Sequence, residues 1–283
     1  MNFNIIGAGR LGKNLGLALS INQIATLNSI CNTNWASASN ACNEIGFGNA
    51  TPNLSNLPKV DITWITCKDD FISDVVSTLS AQKILKPGSL VFHCSGVYSS
   101  SILEPLKKQG CYIASLHPLK AFRSDCIDAN AFKHVNCVME GDSEACTWLK
   151  GTFEQLGASV IAIQSEAKAI YHAAATIASN YLVTLASYSE ELLLKAGIDQ
   201  QHSRNMICDL MQSNIINLSQ HGRIAEVLTG PLSRGDTKTV SLHLQAIKDH
   251  EVNKLYKTLA LATLTLTNLS DETKELFRKI LEE

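Results

Sequence analysis

No apolar run in the chain approaches the roughly 20 residues that a membrane-spanning helix needs, which excludes a transmembrane helix and argues against a membrane role. Charge is also scarce. Only 18% of the 283 residues are charged and the formal net charge is -2, so there is no electrostatic case for binding nucleic acid or an acidic membrane surface. Nine cysteines occur, yet none forms a CxxC pair or a Cys/His spacing suited to ligation, so no metal centre is expected. We read them as reduced thiols, mostly small core residues, in a cytoplasmic protein, with a redox pair as the alternative. Nothing resembles a secretory signal, because a short apolar strand and a glycine turn follow Met1 at once. Internal repeats, low-complexity tracts and flexible linkers are likewise missing.

What is present is a change of rhythm. At 45% hydrophobic, the chain can bury one large core or two moderate ones. Its first half alternates helical stretches such as FISDVVSTLSAQ (Phe71 to Gln82) with short β-branched runs. Those runs are FNII (Phe3 to Ile6), DITWIT (Asp61 to Thr66), SLVFHCS (Ser89 to Ser95), CYIASL (Cys111 to Leu116), VNCVM (Val135 to Met139) and SVIAI (Ser159 to Ile163). Bounded by Gly, Pro, Asp and Ser, they read as buried parallel strands. From Glu166 onward only helix-forming segments appear, with LKAGI (Leu194 to Ile198) as one helix stop. The expectation is therefore α/β: a Rossmann-type doubly wound sheet over residues 1–164, followed by an all-helical substrate and dimerisation domain over residues 165–283.

The segment FNIIGAGRLGKNLGLAL places Gly7-x-Gly9-x-x-Gly12 straight after a strand and at the start of a helix, with Arg10 and Leu11 between the last two glycines. Gly7 permits the tight turn, Gly9 lets the backbone approach a pyrophosphate, and Gly12 lets the helix pack on the strand. The free N–H groups and positive end of that helix then face phosphate. A purely structural glycine turn is the alternative. The second strand, read as Ile24 to Ile30, ends in CNTNWAS with no acid to bond a ribose 2′-hydroxyl. Asn32, Thr33, Asn34 and Ser37 offer bonds to a 2′-phosphate and Arg10 offers positive charge, which favours NADP over NAD.

Reduction of a carbonyl needs a group that neutralises the developing alkoxide and others that orient the substrate. In EAKAIYHAAATIASNYLVTL, helical geometry sets His172 about 40°, Thr176 about 80° and Ser179 about 20° from Lys168. These four line one stripe while Ala173, Ala174 and Ile177 pack elsewhere, and Asn180, about 120° round, borders it. An ordinary alanine-rich core helix with Lys168 at its wet end is the alternative. Ser95 and Gly96 in HCSGVYSS, and His117 before Pro118 in SLHPLKAF, follow strands, where ligands of open α/β sheets collect. His93 points to the same side as Ser95 or is a hydrogen-bonded core residue. A structural role for His117 is equally open.

GAGRLG, HCSG, SLHPLKAF, KAIYHAAATIASNYLVTL and LTGPLSRGDTKTVSLHL occur in this order across nearly the whole chain. Together they resemble the family that joins a Rossmann-like domain to the helical domain labelled DUF2520. That family is similar to the 6-phosphogluconate, hydroxyacid and pyrroline-carboxylate reductase superfamily, and its members include the PanG-type ketopantoate reductases. The resemblance implies a two-domain, dimeric, NADPH-dependent reductase of a small keto acid, with its active site between the domains. The superfamily's catalytic lysine falls on Lys168. The asparagine four residues later falls on His172, a departure that leaves open whether His172 holds substrate, relays a proton or orients Lys168. The serine–glycine substrate loop falls on Ser95 and Gly96, with His117 and Asn180 assigned to substrate as well. A turn beside the substrate carboxylate in pyrroline-carboxylate reductases resembles GPLSRGDTKT (Gly230 to Thr239). There Asp236 would cap the next helix and Arg234 face an acid group, unless the two pair with each other. The leading expectation is reduction of 2-dehydropantoate to pantoate in pantothenate synthesis. Its rivals are an imine or another 2-keto acid as acceptor, a deazaflavin cofactor, and a non-catalytic NADP-binding or sensing protein.

Overall fold

The structure, a computed structural model, describes residues 1–123, 125–220 and 222–282. It divides into two compact units, Met1–Asn180 and Tyr181–Glu283. The first is built on one eight-stranded sheet. Its strands are β1 Asn2–Ile6, β2 Thr26–Cys31, β3 Asn49–Thr51, β4 Ile62–Ile65, β5 Leu90–His93, β6 Tyr112–Pro118, β7 Asn136–Gly141 and β8 Ser159–Ala162, in the spatial order β3-β2-β1-β4-β5-β6-β7-β8. The order runs outward from β1 in both directions, so the connections reverse between β1 and β4, the kind of crevice where doubly wound sheets bind ligands. Between strands lie α1 Arg10–Ile21, α2 Trp35–Ile45, α3 Ile72–Ala81, α4 Glu104–Lys107 and α5 Ser143–Gln155.

Side-chain alternation along the strands separates two cores. Phe3 and Ile5 of β1 join Trp64, Phe92 and Phe153 on one face, whereas Ile6 joins Ile65 and Val91 on the other. Trp64 and Phe92 are fully buried with ring centroids 4.6 Å apart, and burial of a Phe side chain contributes about 1.5–3 kcal/mol.

Two expectations change. β7 pairs antiparallel with β6, not parallel. A parallel return needs a crossover, usually a helix, and the described residues of 119–135 contain none. β8 is a largely exposed edge strand rather than a buried one, with Ile161 48% exposed. The compact units divide after Asn180, inside the long helix α6 (Lys168–Lys195), whereas the strand-to-helix change in sequence lies at Gln164. The reason is that the first turns of α6 hydrogen-bond to β6 and to the loop after β5.

The second unit comprises the remainder of α6, then α7 Gln200–Gln220, α8 Pro231–Arg234, α9 Thr237–Ala246, α10 Val252–Leu264 and α11 Asp271–Glu282, with no strand among the described residues. α6 ends as LKAGI predicts, with Gly197 at φ +88° and its N–H donating to Leu194 O. Val240, Ala260, Leu264, Phe277 and Leu281 form a small core. Among the described residues no helix is long and apolar enough to cross a membrane.

Candidate active site

The glycine turn follows β1 as its spacing predicts. Gly7 has φ +88°, and a Cβ there would lie 2.5 Å from Cys67 N, so both conformation and contact require glycine. A Cβ on Gly12 would lie 2.5 Å from Thr66 Oγ1, whose hydroxyl donates to Gly7 O at 2.9 Å. Gly9 is different. A Cβ there would meet nothing within 4 Å, so the protein leaves space above that peptide. Gly9 is also the N-cap residue of α1, no side chain caps the helix, and its first turn carries no acid. The unpaired N–H groups of Arg10, Leu11 and Gly12 and the positive helix end therefore fit a pyrophosphate.

At the end of β2 the expected 2′-phosphate ligands separate into two kinds. Asn32 is partly engaged: its Oδ1 accepts from Ala8 N–H at 2.7 Å and its Nδ2 donates to Ser37 Oγ at 2.9 Å. It braces the glycine turn against β2 and keeps its second Nδ2–H for a ligand. Asn34 caps α2, its Oδ1 accepting from Ser37 N–H at 2.8 Å, so only its Nδ2 is left for a ligand. Thr33 and Arg10 are exposed.

A second cluster forms where β5, β6 and the start of α6 meet. Lys168 is 1% exposed, and its Nζ donates to Ser95 O at 2.8 Å and to Ser115 Oγ at 2.7 Å. Burial lowers its pKa, partly opposed by the carboxylate of Glu140. Glu140 is itself buried and accepts from Ser100 N–H, Ser100 Oγ and Ser165 Oγ. His93 is fully buried. Its Nδ1 accepts from Ser95 N–H at 3.2 Å, so its Nε2–H donates to Ser99 O at 3.1 Å. Burial and the Lys168 charge push its pKa down to about 4. Ser95 Oγ accepts from the N–H groups of Val97 and Tyr98. His93, Ser95 and Lys168 thus clamp one loop, and Gly96 sits in it for a steric reason. A Cβ on Gly96 would lie 2.2 Å from His172 Cδ2 and 3.0 Å from His117 Cε1.

His117, Tyr171, His172, Thr176, Ser179 and Asn180 line a cavity of 630 Å³, together with Lys120 and three alanines of α6. The His117 and His172 rings stand edge to face, 5.5 Å apart. Burial, Lys168 and His172 push the His117 pKa down to about 4. Lys120 donates to Ala131 O at 2.7 Å.

Of the predicted stripe, His172, Thr176 and Ser179 reach the cavity and Asn180 joins them. Lys168 is not at a wet helix end but is the only buried residue of α6. Ala173, Ala174 and Ile177, expected to pack elsewhere, are exposed, Ile177 by 62%, and Ala174 lines the cavity. Arg234 and Asp236 pair with each other, Arg234 Nε donating to Asp236 Oδ2 at 2.9 Å. Asp236 is the N-cap residue of α9 but makes no side-chain cap, which corrects that expectation: its carboxylate is drawn to the neighbouring guanidinium. Sequence reasoning missed Tyr171, Ser115 and Glu140. Ser115 lies two residues before His117 on one strand, and Tyr171 one helical turn after Lys168, so spacing offered a signal for both.

Residues 1–118 match the family described as a Rossmann-like domain, and residues 135–263 match the domain of unknown function DUF2520. No curated protein matches the chain. Among solved structures, a Bacteroides fragilis protein assigned as an NADP oxidoreductase superposes with TM-score 0.78 at 19% identity, over 93% of this chain and 98% of the other. A Thermotoga maritima protein is similar at 27% identity and TM-score 0.68, over 99% and 98% of the two chains. The pyrroline carboxylate reductase of Plasmodium falciparum, solved with NADP bound, shares the fold at 12% identity and TM-score 0.61, over 98% of each chain.

Proposed function

From a chain that joins a Rossmann-like domain to a DUF2520 domain, we propose an NADPH-dependent reductase that converts 2-dehydropantoate, a 2-oxo acid, to pantoate. The observation that carries this reading is a buried ammonium, Lys168, beside two imidazoles that line a cavity, in the same unit as an uncapped glycine turn. Gly7 would shape the turn, the backbone of Gly9, Arg10, Leu11 and Gly12 would hold the pyrophosphate, and Arg10, Thr33 and Asn34 would meet the ribose phosphate. When bound, the reduced nicotinamide supplies a hydride.

The chain's own residues do the rest. His172 and His117 hold the keto oxygen from the cavity wall. The Lys168 charge, in a low-dielectric setting, stabilises the oxygen as it becomes negative, an effect whose removal typically costs about 10²–10³-fold in rate. Burial also makes Lys168 a readier proton donor than an exposed lysine. Lys120, a cation on the cavity wall, receives the substrate carboxylate, and Asn180 positions the substrate. Arg234, already neutralised by Asp236, has no part in this reading.

The test is loss of nicotinamide absorbance when purified protein meets NADPH and 2-dehydropantoate. Lys168→Ala should bind NADPH and turn over far more slowly. No oxidation of NADPH with this acid removes the substrate assignment. A second reading keeps the chemistry and changes the acceptor to an imine, supported by the similarity to pyrroline carboxylate reductases. A panel of acids scored by kcat/KM separates the two. Full NADPH affinity without turnover of any acid would favour a sensor instead.

A homodimer belongs to the same proposal. α7 exposes Met206, Leu210, Ile215 and Ile216, which point in widely different directions around the helix, and α6 exposes Ile170 and Val183 by 76% and 70%. Apolar surface of this kind is commonly covered by a second subunit. Analytical ultracentrifugation should report twice the chain mass, and a monomer would refute it.

A further inference from the structure

His117 Nδ1 lies 2.8 Å from Tyr171 Oη, and both side chains line the cavity. A neutral imidazole carries one N–H and one acceptor nitrogen, so the pair can be joined in two ways. Either the phenol donates to Nδ1, leaving the proton on Nε2, or Nδ1–H donates to the phenol oxygen. A phenol is a stronger acid than a neutral imidazole N–H, and an imidazole nitrogen a stronger base than a phenol oxygen. The matched bond therefore runs from Tyr171 to His117. His117 Nε2 has no partner among the described residues and is not a buried unsatisfied atom, so it is open to the cavity.

We propose that Tyr171 is a positioning residue: its hydroxyl fixes His117 in the Nε2–H tautomer and so makes it a neutral hydrogen-bond donor to an oxygen in the cavity. Two further observations agree. Burial and the Lys168 charge keep His117 from gaining a second proton near neutral pH, with its pKa at about 4. Burial keeps the Tyr171 hydroxyl protonated, with its pKa at about 12. Such a donor bonds more strongly as its partner oxygen becomes negative. It has nothing to offer a protonated imine, which lacks a free lone pair and is repelled by Lys168. Within the reductase reading, on which this choice rests, the site takes a 2-oxo acid rather than an iminium.

The tautomer is measurable without substrate. Imidazole ¹⁵N spectra of the full chain, with the His117 signals identified by their absence in His117→Gln, should show Nδ1 unprotonated and Nε2 protonated. Tyr171→Phe, which removes one hydroxyl, should give a mixture of tautomers at an unchanged fold. Nδ1–H in the wild type, or an unaltered tautomer in Tyr171→Phe, overturns the proposal. Kinetics give an independent reading. His117→Gln, whose amide N–H₂ can stand near the position of Nε2–H, should keep kcat for a 2-oxo acid within about 10-fold. His117→Asn, which mimics Nδ1, should lose about 100-fold, and the reverse order overturns the donor role. Tyr171→Phe should lower kcat about 5-fold, the weight of one hydrogen bond. Inactivity of the wild type on every acid would remove the reductase reading alone, since the spectra would still decide the tautomer.

Discussion

Replacing Gly96 by alanine should disable the site while leaving the dinucleotide end intact. The added methyl would sit 2.2 Å from His172 Cδ2, 2.8 Å from its Nε2 and 3.0 Å from His117 Cε1. Ordinary carbon–carbon contact is about 3.5–4.0 Å, so the His172 ring must retreat by more than about 1 Å. Gly96 does not have the positive φ that would add backbone strain, so the substitution isolates the contact. Overpacking of this kind costs about 1–3 kcal/mol, and each kcal/mol lowers Tm by about 2–4 °C in a domain of this size. The catalytic loss should be larger, because misplacing a reacting group by about 1 Å can cost about 100-fold. Calorimetry should find NADPH affinity unchanged and kcat/KM for the 2-oxo acid down about 100-fold. Removing the obstacle in Gly96→Ala/His172→Ala should restore much of the Tm but none of the rate. A Gly96→Ala protein with kcat/KM within about 2-fold of wild type would refute the placement of His172 at the reacting oxygen.

The two depressed histidines make the fold acid-sensitive. Their folded pKa values, about 4, lie below the ordinary 6.5, so the unfolded chain binds protons first as pH falls. Their contribution is complete above pH 6.5 and is lost between 6.5 and 4, up to about 3 kcal/mol each. Urea midpoints should therefore fall more steeply over that window in the wild type than in His93→Gln; equal slopes would contradict it. Gly9→Ala should cost no more than about 1 kcal/mol, that of a poorer N-cap, since its methyl enters empty space, yet weaken NADPH binding by about 10-fold. Gly12→Ala meets Thr66 and should lower Tm, so a destabilised Gly9→Ala beside an unaffected Gly12→Ala would reverse our reading of the turn. Lys120→Met should raise KM for the acid about 10-fold at unchanged kcat, as measured in steady-state assays. A fall in kcat alone would move Lys120 away from ground-state binding.

What could be read from sequence, and what could not, follows from the range of the contacts involved. The glycine turn is local, six residues from Gly7 to Gly12, and each glycine has the space or the collision its position predicts. The alternation of strands and helices is local too, as is the stop at Gly197. The sense of β7 is not local. It depends on whether residues 119–135 cross over the sheet, and a segment without helical pattern left that undecided. Polar side chains show the same divide. Asn32 and Asn34 stand in the same short loop, exposed in type and suited to a phosphate, yet one is claimed by Ala8, 24 residues away, and the other by its own helix. Periodicity placed Lys168, His172, Thr176 and Ser179 on one stripe. It could not show that Ser95 O and Ser115 Oγ, 73 and 53 residues distant, would draw the ammonium inward and leave the imidazole facing the cavity. Helical spacing finds candidate groups, whereas the partners a fold brings to them decide which one meets the ligand. In the proposed reductase those partners would give the direct contact to histidine and leave the lysine to act from behind it.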